Sequence, residues 1–308
     1  MQETQASTAL SRKRAERKRA VKRALVGYTF LTPASVIMLC FIFIPVGMAF
    51  YLSLFDWDLI SPKTFVGFRN YVRIFNSRDF YIAVRNTLYF VGVQLPLDFC
   101  ISLGIALLLN QKIRGLSIYR TIFFTPVVTS TVAVSAVWMW LYDPFDGLFN
   151  YLLSLIGLGP YRWLNDPKMA MLSVIIMTVW KGLGYNVVLF LAGLQNIEPS
   201  LYEAAAIDGA RPFQQFRYIT LPQLSPTMYF VLIMGVINSF KVFTQIDVMT
   251  PGGGPLKSTL VVVYLIYQQA FNSFRFGEAS ALSVLLSGFI LLLTVLQRVF
   301  LEKRVHYN

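Results

Sequence analysis

The stretch EAAAIDGARPFQQFRYITLP, Glu203 to Pro222, lies between two long hydrophobic runs and carries its own punctuation. Upstream, Pro199 suits the first turn of a short helix, where a backbone N–H would lack a partner in any case. Glu203 to Ile207 continue it with strong helix formers, and Gly209 ends it by taking the left-handed conformation that a side chain would oppose. Pro212 then starts a second short helix with Phe213, Phe216 and Ile219 at helical spacing, and Pro222 marks its end. The expectation is a helical hairpin that exposes a small-residue surface at Ala204, Ala205 and Ala206. A bare connection needs only about 4–6 residues, so a segment running from 195 to 222 has work of its own.

The flanking runs set the environment. Of 308 residues, 56% are hydrophobic and 14% charged, and the apolar ones are gathered into blocks, which is the composition of a membrane protein. A helix needs roughly 20 apolar residues to cross the hydrocarbon, because lipid offers no partner to backbone groups. Six stretches meet that demand: Leu25 to Phe55, Tyr81 to Leu109, Thr121 to Tyr142, Met169 to Leu194, Leu224 to Ile246 and Ala279 to Val299. A seventh run, Thr259 to Ala270, is too short and reads as a helix at one surface or packed within the bundle. The fold class is therefore all-α, a polytopic membrane protein with six transmembrane helices.

Basic residues orient it. Eight Lys and Arg crowd into RKRAERKRAVKR, Arg12 to Arg23, and Lys112, Arg114, Arg120, Arg211, Arg217, Arg298, Lys303 and Arg304 fall on the same face of the six-span arrangement. Sixteen cations thus lie on one side and nine on the other, with Lys181 and Lys241 inside spans, so the richer side faces the cytoplasm. Both termini and the Glu203–Pro222 hairpin fall there. The net charge of +12 reads as an orientation signal and contact with anionic lipid rather than as a nucleic-acid footprint. Within the quoted stretch, Arg211 and Arg217 are balanced by Glu203 and Asp208, which leaves nothing for phosphates. No cleaved leader is expected, since the first apolar run far exceeds a signal-peptide core.

Catalytic chemistry is not encoded. The single histidine, His306, stands two residues from the end, so neither a His-based metal site nor a triad can be assembled. GGGPLKST, Gly252 to Thr259, lacks the glycine that a phosphate loop requires before its lysine, because Leu256 stands there, and it reads as an external turn. Cys40 and Cys100 both sit in spans, against a disulfide framework. No catalytic residue, metal or cofactor is expected.

Polar groups within spans are the informative residues. Asp98, Lys181 and Lys241 each need a partner or a wet cavity, because an isolated charge in the bilayer is costly. One reading pairs Asp98 with one of the lysines; the other lines a solute pathway with Lys181, Tyr185, Asn186, Asn238, Ser239, Lys241 and Gln245. Asn238, Lys241 and Gln245, three and four apart, would share one helix face.

Glu203, Ala204, Ala205, Asp208, Gly209, Ile219, Leu221 and Pro222 resemble the EAA signature of permease subunits in binding-protein-dependent ABC importers. The resemblance implies the type I permease fold and makes Glu203 to Gly209 the coupling helix that docks on a separate ATPase. VWKGLGYN (179–186), FLAGLQNI (190–197) and MTPGGGP (249–255) are similar to the carbohydrate-uptake branch, and the amino-terminal segments resemble the first of its two permease types, as in the maltose and glycerol-phosphate systems. On that likeness Gly182, Tyr185, Gly235, Asn238, Ser239 and Val242 align with sugar-holding positions. The implied organisation is a basic tail over 1–24, a first span and external segment over 25–80, a permease core over 81–300 and a tail over 301–308. The implied partners are a second permease of different type, two ATPase subunits and an external solute-binding protein, all at the cytoplasmic (inner) membrane. The rival from another class is a secondary transporter, in which Asp98, Lys181 and Lys241 would couple an ion.

Overall fold

The computed structural model describes residue 22 and residues 25–111 and 115–301. The basic amino-terminal tail apart from Lys22, together with Lys112, Arg114, Lys303, Arg304 and His306, lies outside the described residues.

Helix α1 covers Leu25–Leu52 and is followed by a two-strand ribbon, β1 (Phe55–Asp56) antiparallel to β2 (Thr64–Phe65). Then come α2 (Arg69–Phe75), α3 (Arg78–Leu109), α4 (Leu116–Val128), α5 (Thr131–Leu141), α6 (Leu148–Ser154) and α7 (Ala170–Gln195). The chain continues through α8 (Pro199–Ile207), α9 (Pro212–Phe240), α10 (Thr244–Met249), α11 (Val262–Tyr267) and α12 (Phe276–Leu301). Five helices, α1, α3, α7, α9 and α12, are long and apolar enough to cross a membrane singly. Their exposed Leu, Ile and Phe side chains suit hydrocarbon, where burial gains nothing over lipid contact.

The expected third span is broken. Residues 116–128 and 131–141 form two helices bent by 97°, with Thr129 and Ser130 extended between them. Pro126 cannot donate a backbone hydrogen bond, which weakens the end of α4 and permits the turn. The far arm is braced by aromatic packing: Trp138, Tyr142, Phe149 and Trp163 lie ring against ring, and Tyr142 donates to the Ser173 carbonyl at 3.0 Å.

The expected fifth span is also displaced. It does not begin after a separate short helix, because Pro212 through Phe240 is one continuous element, and it stops at Phe240 rather than Ile246. Pro222 fails to end the helix because residues 216–220 form a π-turn, in which Leu221 N–H reaches back to the Phe216 carbonyl. That wider ring makes room for the pyrrolidine, whose clash with a tight turn would otherwise break the helix. The short run Thr259–Ala270 carries α11, whose Val262, Tyr264 and Leu265 are buried, so it packs within the bundle.

The bundle centres on α7. It lies along α3 over most of its length, receives α4 on another side and touches α9. Glycines allow this close approach: a Cβ on Gly184 would stand 1.9 Å from the Phe123 carbonyl oxygen, and one on Gly193 would stand 2.5 Å from Thr227 Oγ1. Close backbone contact through small residues is how helices associate in lipid. By contrast α1 has no buried residue in its apolar window and meets the bundle along α12.

Candidate functional site

A cavity of about 270 Å³ opens among α3, α7, the end of α9 and α10. It is lined by nine of the ten residues singled out as a pathway: Gly182, Tyr185 and Asn186 from α7, Gly235, Asn238 and Ser239 from α9, and Lys241, Val242 and Gln245 beyond it. Helix α3 supplies Phe90, Gln94 and Asp98, and Thr178, Met234, Phe243 and Thr244 complete the wall.

The three residues expected on one helix face reach the cavity by another route. Helix α9 ends at Phe240, Phe243 has φ −144 and ψ −63, and α10 starts at Thr244. Asn238 is therefore on α9, Lys241 caps that helix and Gln245 is on α10. A break at membrane depth is tolerated where the freed backbone borders a polar cavity.

Asp98 does not pair with either lysine. Among the described residues no lysine nitrogen lies within 4.0 Å of it, and neutral donors satisfy it. Asn186 Nδ2 donates to Oδ2 at 2.9 Å, Gln94 Nε2 to the same oxygen at 3.4 Å, and Ser102 Oγ to Oδ1 at 3.1 Å. Ser239 in turn donates to Gln94 Oε1, so the network ties α3 to both α7 and α9. Several hydrogen bonds to fixed dipoles can replace an ion partner for a buried carboxylate.

Lys181 is the one predicted pathway residue outside the cavity wall. Its Nζ donates to the carbonyl oxygens of Pro126 and Val127, at 3.2 and 3.3 Å, in the last turn of α4. Those carbonyls have lost their continuation at the 97° break, and a cation there is also favoured by the negative end of the helix dipole. Sequence spacing could not reveal this, because the partner appears only when the third span breaks. On the α3 wall Asp98 was expected to need a partner or a wet cavity, whereas Phe90 and Gln94 were not singled out; the spacing of Gln94 and Asp98 in the VQLPLD run (93–98), one helical turn apart, was the available signal.

At the far end of α7 the predicted hairpin is present. Pro199–Ile207 is helical, Gly209 adopts φ +77, and Ala210 N–H returns to the Ala205 carbonyl at 2.9 Å. Arg211 N–H donates to Gln214 Oε1 at 2.7 Å as α9 begins, and Tyr202 and Thr220 share a hydroxyl contact at 3.0 Å across the two arms. Glu203, Ala204, Asp208 and Gly209 are exposed, Ala205 is half-buried, and Ile207 is 86% exposed at the tip. Ile219, Leu221 and Pro222 are half-buried along the inner arm, where Ile219 packs against a second core cluster around Leu194 and Leu224.

Residues 80–307 match the family described as "Binding-protein-dependent transport system inner membrane component". The chain belongs to this family. It is accordingly a multi-pass inner membrane component of a transport system, not an enzyme. Family relatives match along nearly the full length. The chain is 37% identical to the trehalose/maltose transport system permease protein MalF of Thermococcus litoralis over 275 residues, covering 89% of this chain and 92% of that one. It is 35% identical to the sn-glycerol-3-phosphate transport system permease protein UgpA of Brucella abortus over 286 residues, 92% of this chain and 97% of that one. Among solved structures it is similar to a chain of a bacterial ABC transporter involved in the import of the acidic polysaccharide alginate. That match has TM-score 0.81 and 26% identity, and it covers 92% of this chain and 98% of the other. A further similar structure, with TM-score 0.78 and 26% identity over 91% and 95% of the chains, is a bacterial alginate ABC transporter in complex with alginate pentasaccharide-bound periplasmic protein. These matches carry the type I permease fold to this chain.

Proposed function

We propose that this chain is the permease subunit of an ATP-driven importer of a sugar or sugar-like solute, working by alternating access with both termini in the cytoplasm. The carrying observation is the exposed hairpin over residues 199–211, with Ile207 uncovered at its tip beside Glu203, Asp208 and Gly209. Ile207 and Phe213 are both exposed on this hairpin, and an ATPase groove would cover them together. Glu203, Ala204, Ala205, Asp208, Gly209, Ile219, Leu221 and Pro222 are assigned to this coupling element. The solute pathway is assigned to the cavity between α3, α7 and α9, with Gly182, Tyr185, Asn186, Gly235, Asn238, Ser239, Lys241, Val242 and Gln245 on its wall. Lys181 acts one layer behind, holding α4 in place.

The assembly contains a second permease of different type, two ATPase subunits and an external binding protein that delivers the solute. Relatives named for trehalose, maltose and glycerol phosphate support the solute class, and the alginate importer bound to its periplasmic protein supports the delivery step. ATP-driven closure of the ATPase pair moves the hairpin, and because α9 runs unbroken from Pro212 to Phe240, that motion arrives at Asn238 and Lys241 through one rigid helix. Closure shifts the equilibrium only because the ATPase binds the two permease states unequally.

The test is the double variant Glu203→Ala, Gly209→Pro. It is expected to insert normally yet to lose uptake and ATPase co-purification. A double variant that keeps both would remove the coupling role.

A further inference from the structure

The cavity wall sorts hydrogen-bonding character, and that sorting names a solute class. On the α3 side, the nearby donors from Asn186, Gln94 and Ser102 point at Asp98, which leaves acceptors: a carboxylate with lone pairs to spare and Asn186 Oδ1, without a partner among the described residues. Asp98 is buried yet borders the cavity, and Gly182 puts no side chain between the two, since a Cβ there would sit 3.7 Å from Oδ2. On the α9–α10 side, Lys241 is exposed and, like Asn238 and Gln245, has no side-chain partner among the described residues. Asp98 and Lys241 are the acidic and the basic side chain on this wall, and their formal charges cancel.

Such a wall suits one class of sugar better than another. A phosphoester brings a charge of about −1.5 to −2 and requires several cations or aligned N–H groups, whereas here one ammonium is offset by a carboxylate. A uronate placed near Asp98 would meet like charge. Neutral hydroxyls both donate and accept, so a polyhydroxylated solute can donate hydrogen bonds to the Asp98 side while accepting them from Lys241. We infer that this permease wall is built for an uncharged, polyhydroxylated saccharide, with Asp98 as the residue that excludes acidic analogues. This rests on the sugar-import reading above.

The experiment uses the assembled importer with its binding protein and a panel of neutral, uronic and phosphorylated saccharides. The expected result is that the solutes taken up are uncharged. An acidic saccharide as the transported solute overturns the inference and leaves the importer reading standing, whereas a solute that is no saccharide overturns both. A second measurement, equilibrium dialysis of labelled solute against the assembled complex without binding protein, compares the transported sugar with its uronate analogue. Asp98→Asn is expected to lower the neutral-to-acidic binding ratio about tenfold, by removing the repulsion while keeping the shape. A purely structural residue would weaken both ligands alike, so an unchanged ratio overturns the assignment of Asp98. The identity of the transported solute decides the class even if that variant fails to assemble.

Discussion

The ammonium of Lys181, in the middle of α7, sits 3.2 Å from the carbonyl oxygen of Pro126 at the end of α4. This contact closes the broken third span: the carbonyls stranded by the 97° bend find a donor on the neighbouring helix. Lys181→Met is expected to keep the hydrocarbon bulk while removing the donor to the Val127 carbonyl and leaving the Pro126 carbonyl to the Thr129 hydroxyl at 2.7 Å, at a cost of roughly 1–2 kcal/mol. The check is the thermal midpoint of the detergent-purified chain, and an unchanged midpoint would show that the contact contributes nothing.

Gly184 and Gly104 offer a matched pair. A Cβ on Gly184 would collide with the Phe123 carbonyl at 1.9 Å, where backbone must move, whereas a Cβ on Gly104 meets nothing within 4 Å. Gly184→Ala should destabilise by about 1–3 kcal/mol or more through forced separation of α4 and α7. Gly104→Ala should be neutral or stabilising by about 0.5–1 kcal/mol, because alanine loses less backbone freedom in a helix. Parallel unfolding curves in one detergent test the ordering, which a reversal would contradict.

Ile207 stands 86% exposed at the end of α8. If it is buried against the ATPase, Ile207→Asp should cut ATPase co-purification at least tenfold while leaving insertion and the melting temperature of the isolated chain unchanged. Burial of one aliphatic side chain is worth about 1.5–3 kcal/mol, which sets that scale. Full recovery of the ATPase with the variant would exclude Ile207 from the interface.

Asp143, in the loop after α5, accepts backbone N–H groups of Phe145 and Asp146, each at 2.9 Å. These bonds favour the charged form and hold its carboxyl below the usual value of 3.8. A depressed folded pKa contributes stability that is present above the unfolded value and lost as pH falls through the folded one. The melting difference between the native chain and Asp143→Asn should therefore be constant from neutral pH down to about 5 and shrink below 3.8. A difference that instead vanished near neutrality would contradict this account.

Several elements were legible in order along the chain. The second, fourth and sixth spans begin and end within a few residues of their apolar runs, because lipid imposes a length on any uninterrupted helix. The hairpin turn at Gly209 was equally plain, since a positive φ there is a local demand that local residues announce. The polar residues that line the cavity from α7 and α9, Tyr185, Asn186, Asn238 and Ser239, were visible as polar groups in apolar company.

Tertiary structure alone decided what those polar groups face. Nothing near Lys181 in sequence shows that it would bond carbonyls of another helix, and nothing near Asp98 shows that Asn186 would take the place of a lysine. Pro222 reads as a helix end until the π-turn at 216–220 accommodates it, and Lys241 reads as mid-helix until the chain breaks at Phe243. The sequence by itself determined that the chain crosses a membrane in apolar helices and turns sharply at Gly209, because hydration of the backbone and the conformational freedom of glycine are local properties. Which charges would be paired, and which would be left to line a cavity, was decided only by the folded bundle, because hydrogen bonding between helices depends on distances that no single helix contains.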